Sequence, residues 1–151
     1  MTEPSPLTGS CHCGAIRATF FPSKPAEELE VRSCQCSFCV RHGAKTVSDP
    51  SGRARFEIDG AALSWYRFET RTGTSLICSR CGAFAGGIVE DGDHVWSVFN
   101  ARGLAIPEFR DRVGEPRHYD GETSEQRKAR RISMWTPTEI VWMGADGARS
   151  R

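Results

Sequence analysis

Seven cysteines gathered into three tight groups constrain this chain more than any other feature. They read Cys11-His12-Cys13, then Cys34-Gln35-Cys36-Ser37-Phe38-Cys39, then Cys78-Ser79-Arg80-Cys81. An odd number leaves one thiol over from any complete disulfide framework. In a reducing compartment, clustered cysteines hold metal or do chemistry rather than pair. Free, buried thiols with only a packing role would be scattered along the chain instead. The cytoplasm is the expected compartment. The segment Met1 to Pro6 lacks the basic and apolar regions of a signal peptide, and no apolar run approaches the roughly 20 residues of a spanning helix.

Zinc prefers tetrahedral coordination by soft or borderline donors, and thiolate sulfur suits it. Cys78-x-x-Cys81 is followed at once by Gly82, which permits the tight turn of a knuckle whose two sulfurs point at one ion. Cys11-x-Cys13-Gly14 is a second two-ligand turn ending in glycine. Pairing the two gives a closed four-thiolate site that joins distant segments, as a structural zinc does. The remaining group, Cys34, Cys36 and Cys39, offers three ligands within six residues. Three thiolates leave one tetrahedral corner for water or an incoming ligand, which is the pattern of a catalytic-type site. A zinc with four thiolates carries a formal −2 charge and is a poor Lewis acid, whereas three leave −1 and an open place. The expectation is therefore two zinc ions per chain. One of His12, His42, His94 or His118 could instead close the second site. His42, three residues beyond Cys39, is the strongest rival.

The rest of the chain reads as one domain of short strands. Its 151 residues are 38% hydrophobic and 26% charged, within the range of folded soluble proteins. A formal charge of +1 gives no field that argues for nucleic acid or a membrane surface as a partner. Strands are expected over 15–21, 63–68, 75–78, 83–89 and 94–99, with a final one over 140–143. The clearest helix candidate is 122–132, where Thr123 and Gln126 form a capping-box pattern. Its basic run of Arg127, Lys128, Arg130 and Arg131 reads as a solvated face beside Glu122 and Glu125. Trp65, Tyr66, Trp96 and Phe99 read as core or rim packing.

Together the segments Gly9 to Ile16, Cys34 to Cys39 and Cys78 to Gly82 resemble the glutathione-dependent formaldehyde-activating enzyme family, which includes the centromere protein V-like domains. The resemblance spans about residue 8 to residue 110. It implies a mainly β, Mss4-like fold of short twisted antiparallel sheets around zinc knuckles, here with a short C-terminal helix. It also implies the same partition: Cys11, Cys13, Cys78 and Cys81 on a structural zinc, and Cys34, Cys36 and Cys39 on the second. On this view residues 7–135 form a zinc-binding domain of that type, and 136–151 form a C-terminal strand or loose tail. The implied chemistry adds a thiol such as glutathione to a small aldehyde such as formaldehyde, a carbon–sulfur lyase reaction in reverse.

Many relatives place a basic pair after the third cysteine of the cluster, whereas this chain has Val40-Arg41-His42. Arg41 and His42 are the candidate substrate-binding residues, with Lys45 a further cation nearby. His118 and Tyr119 lie outside the strong match, in a segment that reads as a turn. Two other functions fit the cysteines. One is a protein-interaction module with two structural zincs, and the other is a thiol redox switch.

Overall fold

Alternation settles the central strands. Residues Ile16–Phe21 bury Ile16, Ala18 and Phe20, and Arg53–Asp59 bury Ala54, Phe56 and Ile58. The antiparallel register pairs Ile16 with Ile58, Ala18 with Phe56 and Phe20 with Ala54, so both apolar sets share one face. The structure, a computed structural model, describes residues 4–68 and 72–144. Within them run β1 (Leu7–Ser10), β2 (Ile16–Phe21), β3 (Arg32–Cys34), α1 (Ser37–His42), β4 (Thr46–Val47) and β5 (Arg53–Asp59). There follow β6 (Leu63–Tyr66), β7 (Thr74–Cys78), β8 (Phe84–Asp91), β9 (His94–Asn100), β10 (Glu115–Arg117), α2 (Ser124–Met134) and β11 (Thr136–Met143).

The mainly β architecture expected from the sequence is observed, as a curled sheet with its longer helix near the C-terminus. The path runs β1-β2-β5-β11-β9-β4-β3-β10, and a branch β6-β7-β8 joins at β9. β9 is the junction. His94 to Phe99 pair with β8 on one edge, while the other edge serves β11 through Val95 to Ser97 and β4 through Phe99 and Asn100. Two pairings depart from the antiparallel expectation: β11 runs parallel to β5, and β10 runs parallel to β3. The first arises because the chain crosses over through α2 before β11 returns beside β5. The tail segment thus contributes an inner strand over Thr136–Met143, while residues 145–151 lie outside the described residues.

The core sits in the curl. Phe99 stands edge-on to Phe20 at 5.0 Å and to Phe56 at 5.1 Å between ring centroids, joining β9 to the β2–β5 pair. Phe99 is therefore core, whereas Tyr66 is 46% exposed and belongs to the surface. Among the described residues, no helix is long and apolar enough to cross a membrane.

Candidate metal centres and an arginine-lined cavity

The first cysteine pair sits in the turn between β1 and β2, and Cys78 and Cys81 sit in the turn from β7 to β8. Both turns close the same way. The Gly14 amide donates to the Cys11 carbonyl at 3.1 Å and the Gly82 amide to the Cys78 carbonyl at 2.8 Å. Gly14 and Gly82 take φ of +84° and +80°, which a side chain would disfavour. The fold then brings the two turns together. The four sulfurs lie within 4.8 Å of one another. Cys11 Sγ and Cys13 Sγ are 3.8 Å apart, and Cys13 Sγ and Cys78 Sγ are 3.5 Å apart. A tetrahedral ion with metal–sulfur bonds of about 2.3 Å sets neighbouring sulfurs about 3.8 Å apart. The donor set therefore fits a metal. The backbone amide of Ile16 also donates to Cys11 Sγ at 3.3 Å, which favours the thiolate form. Burial pushes the Cys78 thiol up to about 12. At Cys81 burial is outweighed by amides of Ala83 and Cys13, which hold the thiol down to about 6.

The second group forms around α1. Cys34 ends β3, Cys36 is the N-cap of α1, and Cys39 lies one turn on, its amide donating to Cys36 Sγ at 3.3 Å. The three sulfurs fall within 4.8 Å of one another, and among the described residues no His, Asp or Glu completes that group. His42 is exposed, and its ring packs 4.6 Å from Phe38 and 5.4 Å from Phe84. It does not close the cluster. Cys36 is the most acidic of the trio, brought down to about 2 because the side chains of Cys34 and Cys39 hydrogen-bond to its sulfur. The contact with Cys36 pushes Cys34 up, and contacts with Cys34 and then Cys36 push Cys39 up.

These three cysteines open onto a cavity of about 100 Å³. Phe38, Phe68, Phe84 and Trp135 supply its apolar walls. Arg32, Arg127, Arg130 and Arg131 line the same cavity, as does Tyr119. Three of the four basic residues of α2 are therefore not a solvated face, and only Lys128 stays at the surface, paired with Asp91 at 3.1 Å. Arg127 is 8% exposed, and Arg130 and Arg131 are half-buried. Local structure explains the placement. The capping box forms as expected, with Gln126 N donating to Thr123 Oγ1 at 3.1 Å and Thr123 N to Gln126 Oε1 at 2.9 Å. Ser48 Oγ donates to the Met134 carbonyl at 2.9 Å, and buried Trp135 packs with Val89 and Val98 on the sheet. The helix is pinned at both ends, which turns its Arg127, Arg130 and Arg131 face inward.

Glu122, just before the helix, binds two of these arginines. Arg127 Nε reaches Oε1 at 3.1 Å and Arg130 Nε reaches Oε2 at 2.8 Å, with Arg130 also stacked 3.6 Å over the Tyr119 ring. Arg130 first, then Arg127, hold the Glu122 carboxyl below the usual glutamate range. Arg32, 6% exposed, donates to Ser48 Oγ.

Neither Arg41 nor His42 is among the residues lining the cavity. Arg41 is exposed and donates to the Ser37 carbonyl at 3.2 Å. Lys45 lies in a separate groove, where its Nζ meets the Arg110 carbonyl at 3.2 Å. His118 is exposed, while Tyr119 lines the cavity. Sequence reasoning thus missed the arginine wall. The signal was the i, i+3, i+4 spacing of Arg127, Arg130 and Arg131, which places them on one helix face.

Residues 6–101 match the family model described as glutathione-dependent formaldehyde-activating enzyme. All seven cysteines fall inside the match, while β10, α2 and β11 lie beyond it. Among solved structures, a Rhodobacter sphaeroides protein of known crystal structure is similar over 74% of this chain and 99% of its own, at 27% identity and a TM-score of 0.57.

Proposed function

Because the chain belongs to the glutathione-dependent formaldehyde-activating enzyme family, we propose that it binds two zinc ions and joins a thiol such as glutathione to a small aldehyde. Cys11, Cys13, Cys78 and Cys81 would hold the structural ion, and Cys34, Cys36 and Cys39 the second. One observation carries the reading: the three-cysteine group has no fourth protein ligand among the described residues and faces a cavity. A bound zinc there would supply Lewis acidity and a coordination place that lowers the pKa of an incoming thiol.

The chain's own residues do the rest. The aromatic residues give the cavity apolar walls, and its arginines give it a positive field that favours thiolate over thiol. In the addition the sulfur electron pair forms a bond to the carbonyl carbon. The carbon–oxygen π bond breaks toward oxygen, and that oxygen takes up the proton the thiol gave, so the product is the hydroxyalkyl thioether. Nothing is oxidised or reduced. Metal analysis joined to a thiol titration of the cobalt-substituted protein tests this reading. Two metals per chain, one with a visible spectrum that glutathione or another thiol alters, is the expected result. One metal per chain, or a second centre that no thiol alters, overturns it and leaves a structural zinc module.

A further inference from the structure

Arg131 stands apart from the other cavity arginines. Arg127 and Arg130 are held by Glu122, and Arg32 by Ser48. Arg131 has no hydrogen-bond acceptor among the described residues, and its Nε is shut off from solvent without a partner. Its guanidinium lies 4.8 Å over the Trp135 ring. On another side it comes so close to Gly73 that a Cβ there would fall 2.6 Å from Nη1. Room is thus made for this cation, but among the described residues no carboxylate forms an ion pair with it, and Glu122 acts on it only from a distance. Burial first, then repulsion from Arg130 and Arg127, pushes it down to about 10. A half-buried charge left unpaired is unfavourable unless its counter-charge arrives with something else.

That counter-charge has a defined location. Arg131 and the three sulfurs line the same cavity. At about 100 Å³ the cavity is small, although it opens to solvent on one side. For scale, an engineered apolar cavity of about 150 Å³ holds a benzene molecule. A ligand with its sulfur at the cysteines and its anion at Arg131 must keep those groups close together.

We propose that Arg131 is the carboxylate receptor of this cavity, and that the thiol taken at the three-cysteine centre is a compact mercaptocarboxylate. The planar guanidinium suits a carboxylate, to which it can donate two parallel hydrogen bonds. Arg131 lies on α2, beyond the family match, so the assignment belongs to this chain's own C-terminal segment. It rests on the reading of the second centre as a thiol-binding metal site.

The test titrates thiols into the cobalt-substituted full-length protein and follows the visible absorption of the metal. 3-Mercaptopropionate should bind roughly 10- to 100-fold tighter than its neutral isostere 3-mercaptopropionamide, the range expected for a charge-assisted hydrogen bond. Arg131→Met should erase that preference by weakening the carboxylate far more than the amide, and Arg131→Lys should restore part of it. Equal binding of the two thiols to the wild type, or an unchanged preference in Arg131→Met, would overturn the assignment alone. Tighter binding of glutathione than of 3-mercaptopropionate would also overturn it. Failure of every thiol to change the spectrum would overturn the thiol-binding reading and this proposal with it. Thermal melting supplies a control on folding. Arg131→Met removes an unpaired charge, so it should melt no lower than wild type, and a large fall would assign Arg131 a structural role instead.

Discussion

Replacing Glu122 by Gln should loosen α2 from the cavity, because one carboxylate compensates two inward-facing arginines. The side chains involved are only 19% exposed for Glu122, 10% for Arg127 and 18% for Arg130. Removing one partner of a buried pair costs roughly 3–5 kcal/mol, since the charge left behind stays desolvated. Partial exposure of Glu122 places this case at the low end, about 3 kcal/mol. At about 2–4 °C per kcal/mol for a chain of this size, the melting temperature should fall by about 6–12 °C. Calorimetry at neutral pH on the metal-loaded protein reads this directly. Adding Arg130→Met to Glu122→Gln should recover part of the loss, because it removes one of the stranded charges. The pH dependence has a fixed sign. Arg130 and Arg127 depress the folded carboxyl, so its contribution is complete above the unfolded value of about 4.3. It is lost as pH falls through the lower folded value, so the gap between wild type and Glu122→Gln should narrow below about pH 4. A melting shift under about 2 °C at neutral pH, or a gap that widens in acid, would refute this account of how α2 is held.

Three further substitutions separate the parts of the molecule. Cys81→Ser should expel one metal per chain and lower the melting temperature by more than about 10 °C, because a closed site contributes its binding energy to folding. Metal analysis and calorimetry of that variant check both. Cys36→Ser should keep the first metal and melt within about 4 °C of wild type, yet lose the thiol-dependent change in the cobalt spectrum. Destabilisation as severe as that of Cys81→Ser would show that the two sites do not differ in role. Gly103→Ala should cost about 1–3 kcal/mol by chemical denaturation. The added Cβ would strike the Phe84 carbonyl and come 2.9 Å from Asn100 Nδ2, which donates to that carbonyl at 2.8 Å.

The regular elements were legible to different degrees for physical reasons. The strands over 16–21, 74–78, 84–91 and 94–100 announce themselves through β-branched and aromatic residues between turn signals. The helix shows its capping box outright. By contrast α1 has six residues, too few for a helical period, and Cys36 caps it with a sulfur rather than the usual oxygen. β5 was missed although Arg-Ala-Arg-Phe-Glu-Ile-Asp alternates cleanly, because its outward charges outweigh the short apolar set. Nothing local reveals that β11 runs parallel to β5, since parallel pairing follows from a crossover.

What the sequence determined by itself is the chemistry of the cysteines. Ligand spacing and the following glycines are local, so Cys11-x-Cys13-Gly14 and Cys78-x-x-Cys81-Gly82 declare two knuckles before any fold is known, and Cys34-x-Cys36-x-x-Cys39 declares a third group. What the tertiary structure alone decided is the environment into which the three-cysteine group opens. A run of arginines on a helix has the same local pattern whether it meets water or a cavity. The outcome depends on Ser48, Glu122 and the sheet surface under Trp135, which pin α2 against strands far away in sequence. His42 shows the same division, since its spacing from Cys39 permits ligation, yet packing against Phe38 and Phe84 takes its ring elsewhere.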